Sequence, residues 1–276
     1  MAYRGYDFVV ARLERSDRWS FNVLPNVQSQ PVKAAPRSSK VPDGMRVYAI
    51  GDVHGRADLL ERLFDLIEED IKTCEPSDEV VIVLLGDYVD RGFQSKDVID
   101  FLIGDRVSGH NCVFLKGNHE EAFLKFMSEP AFGPRWAGYG GGETLTSYGV
   151  RPPRTRTQAE EWVEANQALI EVLPEEHRSF LLNLQISASI GDYFFVHAGL
   201  RPGRPIEKQT EDDLLWIRDE FINSDEPFEQ VVVHGHTPVS EPYRDDRRIA
   251  VDTGAYMTGR LTAACFVRDT VTFLST

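Results

Sequence analysis

Short apolar runs punctuate the chain from Met45 onward: RVYAI at 46–50, VVIVLL at 80–85, CVFL at 112–115, YFFV at 193–196, VVV at 231–233 and IAV at 249–251. Each is rich in β-branched or aromatic residues and bounded by Gly, Asp or Asn, which predicts buried strands. Helical periods lie between the first three. ADLLERLFDLIEEDI, 57–71, sets Leu59, Leu60, Leu63, Leu66, Ile67 and Ile71 on one stripe. SKDVIDFLIG, 95–104, opens with Ser95, a candidate helix cap. This alternation predicts an α/β fold. The final LTAACFVRDTVTFLST reads as two strands joined by a turn at Arg268-Asp269.

Two stretches break the pattern. Residues 1–44 carry LPNVQSQPVKAAPRSSKVPDG, rich in Pro, Ser and Gln and without apolar period, which predicts a poorly ordered extension before a catalytic domain over 45–276. Residues 129–185 are more polar and helical, an insertion near the site. Within them GYGGGETLTSYG, 138–149, follows no strand and lacks the Lys and Ser/Thr of a P-loop, so it reads as a turn-rich surface segment. TQAEEWVEANQALIEVL reads as an amphipathic helix.

A chain of 276 residues suits one large α/β domain. No stretch approaches the roughly 20 apolar residues that span a bilayer, and the N-terminus lacks the apolar core of a signal peptide. The expectation is a cytoplasmic protein without a membrane partner. The 3 Cys, Cys74, Cys112 and Cys265, form no CxxC pair, which argues against disulfides and structural zinc. A net charge of −14 is the reverse of a nucleic-acid binder's balance.

The chemistry gathers where strands end. Five of the runs terminate in metal-competent clusters: GDVHG at 51–55, GDYVDRG at 86–92, GNHE at 117–120, HAGL at 197–200 and HGHT at 234–237. In an open α/β sheet, ligands collect outside the carboxyl ends of strands. Asp52 and His54, two apart, project to the same side of an extended segment. Asp87 leaves the next strand in a position to bridge two ions, and Asn118, His197 and His236 add an amide oxygen and imidazole nitrogens. Such a mixed set suits Mn, Fe or Zn better than Ca. Two ions about 4 Å apart clamp an in-line displacement and activate the water between them.

The ordered set of five clusters resembles the phosphoprotein phosphatase branch of the calcineurin-like metallophosphoesterases, most closely its small bacterial and phage members, over about residues 46–258. The resemblance implies a two-sheet β-sandwich flanked by helices, with a dinuclear site at strand carboxyl ends. It implies one divalent ion on Asp52, His54 and Asp87, and another on Asp87, Asn118, His197 and His236, manganese first, with iron or zinc as alternatives. It matches His119 to the general acid, with Asp90 orienting it, and Arg91 and Arg218 to the phosphate-binding arginines. Tyr256, after VDTGA, either approaches the substrate or packs. The sequence departs from wider metallophosphoesterases in having Pro238 where they carry a second metal-binding His after GH. His234 is then either structural or a support behind the ligands.

Two activities compete. GDYVDRG and GNHE favour a serine/threonine protein phosphatase acting on phosphoproteins. The alternative is a phosphorylated small molecule, through symmetrical hydrolysis of diadenosine tetraphosphate, with Trp136, Tyr139 and Tyr148 of the insertion available to stack on a base. A catalytically dead binding module is disfavoured, because every ligand and the His119–Asp90 pair are present.

Overall fold

The computed structural model describes residues 39–75, 78–154 and 159–276. The expected disorder of residues 1–38 lies outside the described residues. Of the predicted extension, Ser39–Gly44 is described, and its first three residues are docked. Val41 is fully buried and its N–H donates to the Arg268 carbonyl at 3.0 Å. The Ser39 carbonyl accepts from the Tyr193 hydroxyl at 2.9 Å.

The strands are β1 (Met45–Ile50), β2 (Glu79–Leu84), β3 (Asn111–Phe114), β4 (Ser187–Ile190), β5 (Tyr193–Val196), β6 (Val231–His234), β7 (Tyr243–Arg244), β8 (Arg248–Ala250), β9 (Thr262–Val267) and β10 (Thr270–Ser275). They form two five-stranded sheets, ordered β10-β9-β1-β2-β3 and β4-β5-β6-β8-β7. β1, β2 and β3 run parallel, as do β5, β6 and β8. All carboxyl ends of each parallel trio therefore open on one edge.

Period-two alternation builds the sandwich. Val47, Ala49, Val81, Val83 and Phe266 of the first sheet pack against Tyr193, Phe195, Val233 and Ile249 of the second. The intervening residues, Tyr48, Ile50, Ile82 and Leu84, face helices on the outer side. Phe194, Val196 and Val232 do the same for the second sheet, against Leu214 and Phe221. Strands covered on both faces are continuously apolar, which is why they stand out in the sequence.

The helix Ala57–Ile71 buries Leu59, Leu60, Leu63, Phe64 and Ile67, each worth about 1.5–3 kcal/mol relative to exposure. Leu66, expected on that stripe, is 40% exposed, and Phe64 takes the core position instead. Ser95 opens the helix Ser95–Ile103 but makes no cap bond. Its hydroxyl accepts the Asp90 N–H at 3.1 Å. The glycine-rich segment departs from expectation as well: Gly141–Ser147 is helical. A Cβ on Gly141 would overlap the Trp136 ring, so the glycines permit close packing rather than a loop.

Candidate metal centre

The strand ends deliver their residues to one place. Asp52 lies two residues beyond β1, Asp87 three beyond β2, His197 one beyond β5 and His236 two beyond β6. Asn118 and His119 open the helix Asn118–Ser128 after β3. Asp52, His54, Asp87, Asn118, His119, His197 and His236 are all buried. The turns that aim them are conformationally costly. His54, Asp87, Asp90, Arg91 and His236 all have φ between 45° and 72°, left-handed backbone that side chains with a Cβ disfavour. Gly235 and Gly117 are required for a different reason. A Cβ there would overlap Asp52 Oδ1 and Asp87 Oδ1 respectively.

Asp87 stands at the centre. Its Oδ2 is 3.4 Å from His54 Nε2 and 3.8 Å from His119 Nε2. Its Oδ1 is 3.3 Å from His197 Nε2, which is also 2.9 Å from Asn118 Oδ1 and 3.2 Å from His236 Nδ1. Asp52 Oδ2 is 4.0 Å from His54 Nε2. The two tightest groups are His54, Asp87 and His119 on one side, and Asp87, His197 and His236 on the other. Asp52 stands slightly further out, held by the His236 N–H, which lies 3.1 Å from each of its oxygens.

Proton positions show what these atoms want. His54 Nδ1 faces the Val89 carbonyl at 2.9 Å, and His197 Nδ1 faces the Leu85 carbonyl at 2.9 Å. A carbonyl only accepts, so both Nδ1 atoms carry hydrogen and both rings turn Nε2 toward Asp87. Burial lowers His197, but the Asp87 carboxylate outweighs it and raises that imidazole above its usual range. Burial, reinforced by Arg91, holds His54 well below the usual imidazole range, and burial with Arg218 does the same for His236. Burial, Asp252 and Asp87 push Asp52 well above the carboxylate range. Among the described residues, His236 Nε2 is buried without a hydrogen-bond partner. Buried imidazole nitrogens thus converge on the Asp87 carboxylate in two groups that share it, the ligand atoms of each lying within 4.8 Å of one another, and His236 keeps one nitrogen unpartnered. That donor set fits divalent cations, which neutralise the carboxylates and take the free nitrogens.

Beside the donors lies the His119–Asp90 pair. His119 Nδ1 is 2.7 Å from Asp90 Oδ2, and His119 Nε2 is 3.2 Å from Arg91 Nη2. In this arrangement the imidazole donates to Asp90 and accepts from Arg91. The Arg91 guanidinium also sits 4.8 Å over the Tyr256 ring, whose centroid is 5.4 Å from His54. Tyr256 is therefore at the site. Among the described residues Arg218 has no ion-pair partner. It is partly buried and donates to the His236 carbonyl at 2.8 Å.

Residues 45–261 match the calcineurin-like phosphoesterase family. The chain belongs to that family. It is a hydrolase of phosphate esters. The phosphoesterase is 27% identical over 239 residues to the asymmetrical bis(5'-nucleosyl)-tetraphosphatase PrpE of Oceanobacillus iheyensis, covering 80% of this chain and 89% of that one. A serine/threonine-protein phosphatase of Arabidopsis thaliana, BSL2, is 40% identical over 82 residues, 29% of this chain and 8% of the relative. Among solved structures, one described as a putative diadenosine tetraphosphatase superposes with a TM-score of 0.55 at 22% identity, covering 87% of this chain and 96% of that one. It shares the fold.

Sequence reasoning missed three residues of the phosphoesterase site, Glu120, Asp252 and Thr144, and gave a fourth, Trp136, a different role. Glu120, fully buried, accepts four backbone N–H groups: Asp87 (2.8 Å) and Gly117 (2.9 Å) on Oε2, Tyr88 (2.7 Å) and Val89 (3.2 Å) on Oε1. It ties the Asp87 turn to the turn before Asn118. Burial pushes its carboxyl up to about 7, yet both oxygens face only donors and leave a proton nothing to bond. Asp252, buried two residues beyond β8, occupies the same strand-end position as Asp52 beyond β1, and that position was the available signal. Trp136 and Thr144 come from the insertion. Trp136 Nε1 lies 3.0 Å and 3.2 Å from the two Asp90 oxygens, and the Thr144 hydroxyl donates to Asp90 Oδ1 at 2.7 Å. Of the aromatic residues expected to stack on a base, Trp136 and Tyr148 are buried and only Tyr139 reaches the site's surface. His234 is buried between the Gly235 carbonyl and Arg248, outside the donor set.

Proposed function

We propose that this chain hydrolyses dinucleoside polyphosphates at a two-ion centre held by Asp52, His54, Asp87, Asn118, His197 and His236. The observation that carries the reading is the aromatic rim. Half-buried Tyr139 has its ring 6.1 Å from His119 and 5.7 Å from half-buried Trp216. Tyr139 therefore lies beside the histidine that would serve the departing oxygen, and Trp216 continues the aromatic surface toward His236, its ring 6.5 Å away. Base stacking on such faces is worth about 1–3 kcal/mol per base. The near full-length likeness to a relative named as a dinucleoside tetraphosphatase supports the same class.

Bound divalent ions would supply Lewis-acid stabilisation of the phosphoryl oxygens and a water acidic enough to attack. The chain's own residues do the rest. Arg91 and Arg218, one beside each donor cluster, would fork the non-bridging oxygens bidentately. Arg91 must leave His119 to do so, which frees Nε2. His119, protonated and paired with Asp90, would then donate to the leaving oxygen.

A serine/threonine protein phosphatase is the second reading, and the 2.7 Å His119–Asp90 pair favours it. A serine alkoxide departs poorly without a proton, whereas a phosphate leaving group needs one far less. Turnover of diadenosine tetraphosphate and of phosphoserine peptides by the Mn²⁺-loaded protein, side by side, separates the two. Products resolved by ion-exchange chromatography should show faster loss of the dinucleotide, and ATP with AMP would mark asymmetrical cleavage. A strong preference for the peptide would overturn the first reading in favour of the second.

A further inference from the structure

We propose that Thr144 and Trp136, both from the helical insertion, are positioning residues of the reaction: they lock Asp90 in the orientation that presents Oδ2 to His119. The inference rests on the reading of His119 as proton donor. Asp90 is fully buried on a left-handed backbone (φ 72°), so its two neighbours in the chain do not by themselves fix its carboxylate plane.

The proton inventory around it is tight. Thr144 Oγ1 has one hydrogen and lies 2.7 Å from Asp90 Oδ1, an oxygen that only accepts. The same hydroxyl lies 2.9 Å from the Asp90 backbone N–H, which only donates. Thr144 therefore grips Asp90 at both ends, accepting from its main chain and donating to its side chain. Ser95 Oγ is 3.1 Å from Thr144 Oγ1 and 3.1 Å from Asp90 N, and shares the main-chain bond. Trp136 Nε1–H straddles the carboxylate, and its ring stacks on Phe126 at 4.6 Å and Phe123 at 5.4 Å. With Thr144 fixing Oδ1 and Trp136 bridging both oxygens, Oδ2 is left pointing at His119 Nδ1. Two donors separated from Asp90 by 54 and 46 residues thus set the aim of the imidazole.

Thr144→Val tests this cleanly. Valine matches the buried volume, and the Asp90 N–H keeps Ser95 as acceptor. The measurement is kcat for a series of phosphate esters of rising leaving-group pKa, with metal content and melting temperature checked in each variant. Thr144→Val should lose roughly tenfold to a hundredfold on phosphoserine peptide, in line with misplacement of a catalytic group, and proportionally less on p-nitrophenyl phosphate. Thr144→Ser, which restores the hydroxyl, should recover most of the loss. Adding Thr144→Val to His119→Asn should change nothing further. A uniform loss on all esters, or equal losses in Ser and Val variants, would overturn the proposal. If His119→Asn itself shows no leaving-group dependence, the reading of His119 fails first. If it does while Thr144→Val does not, only the positioning role falls.

Discussion

Exchanging Glu120 for glutamine changes one buried atom from acceptor to donor at almost constant volume. In the native protein each carboxylate oxygen takes two main-chain N–H groups, and none of the four has another partner of that strength. The glutamine amide must point its NH₂ at one pair, either Asp87 with Gly117 or Tyr88 with Val89. Two bonds to a charged acceptor are lost whichever way it turns. At about 1.5–3 kcal/mol each, the loss is about 3–6 kcal/mol, a large share of a typical domain stability of about 5–15 kcal/mol. For a domain of this size each kcal/mol moves the midpoint by about 2–4 °C, so Glu120→Gln should melt about 6–24 °C lower. Differential scanning calorimetry of the chelated protein reads this without contribution from bound ions. The metal-loaded melt should fall further, because the loosened turn carries Asp87. A chelated variant melting within about 2 °C of the parent would refute the claim that Glu120 holds the two turns together.

Chelation should strip two ions per chain and abolish turnover while far-UV circular dichroism stays unchanged; active protein free of transition metal by elemental analysis would sink the two-ion reading. Asp87→Asn should lose more metal and activity than Asn118→Asp, because only Asp87 faces both donor groups. Arg91→Lys and Arg218→Lys should each lower kcat/KM by about tenfold or more, since lysine keeps the charge without the fork; an unaltered Arg218→Lys enzyme would remove that residue from phosphate binding. Burial raises the Asp213 carboxyl, but the Thr210 hydroxyl and N–H together with Arg201 outweigh it, and its pKa is lowered. Its stabilisation is therefore present above the unfolded carboxylate range and lost as pH falls through the folded value. Asp213→Asn should be less stable than the parent at pH 7 by urea melts, with the gap closing below about pH 4.

The candidate metal ligands were legible because two independent signals coincide: apolar runs mark strands covered on both faces, and metal-competent residues follow at their carboxyl ends. Both sheets emerged from that pattern except at their margins. β4 is SASI, small and half-exposed, and β7 spans two residues, so neither carries an apolar signal. The glycine run at 140–142 misled for a local reason. Glycine disfavours helix by about 1 kcal/mol relative to alanine, and here the fit against Trp136 outweighs it. Thr144 was invisible as a site residue and Trp136 was legible only as a candidate for base stacking, because their bonds to Asp90 span the chain. Tyr139, three residues after Trp136 in the same insertion, was visible only as one of three aromatics of equal standing.

The left-handed turns at His54, Asp87, Asp90, Arg91 and His236 set heat resistance and chemistry against each other. Every one of these positions would relax if it were glycine, by roughly 1 kcal/mol or more. A library sorted only for surviving higher temperatures would drift toward glycine there, above all at Arg91, whose side chain makes few bonds that the fold needs. The winners would be hardier proteins without three of the proposed ion ligands, the partner of His119 and one of the two arginines proposed to fork the phosphate. Any engineering of this chain for durability has to hold those five positions fixed.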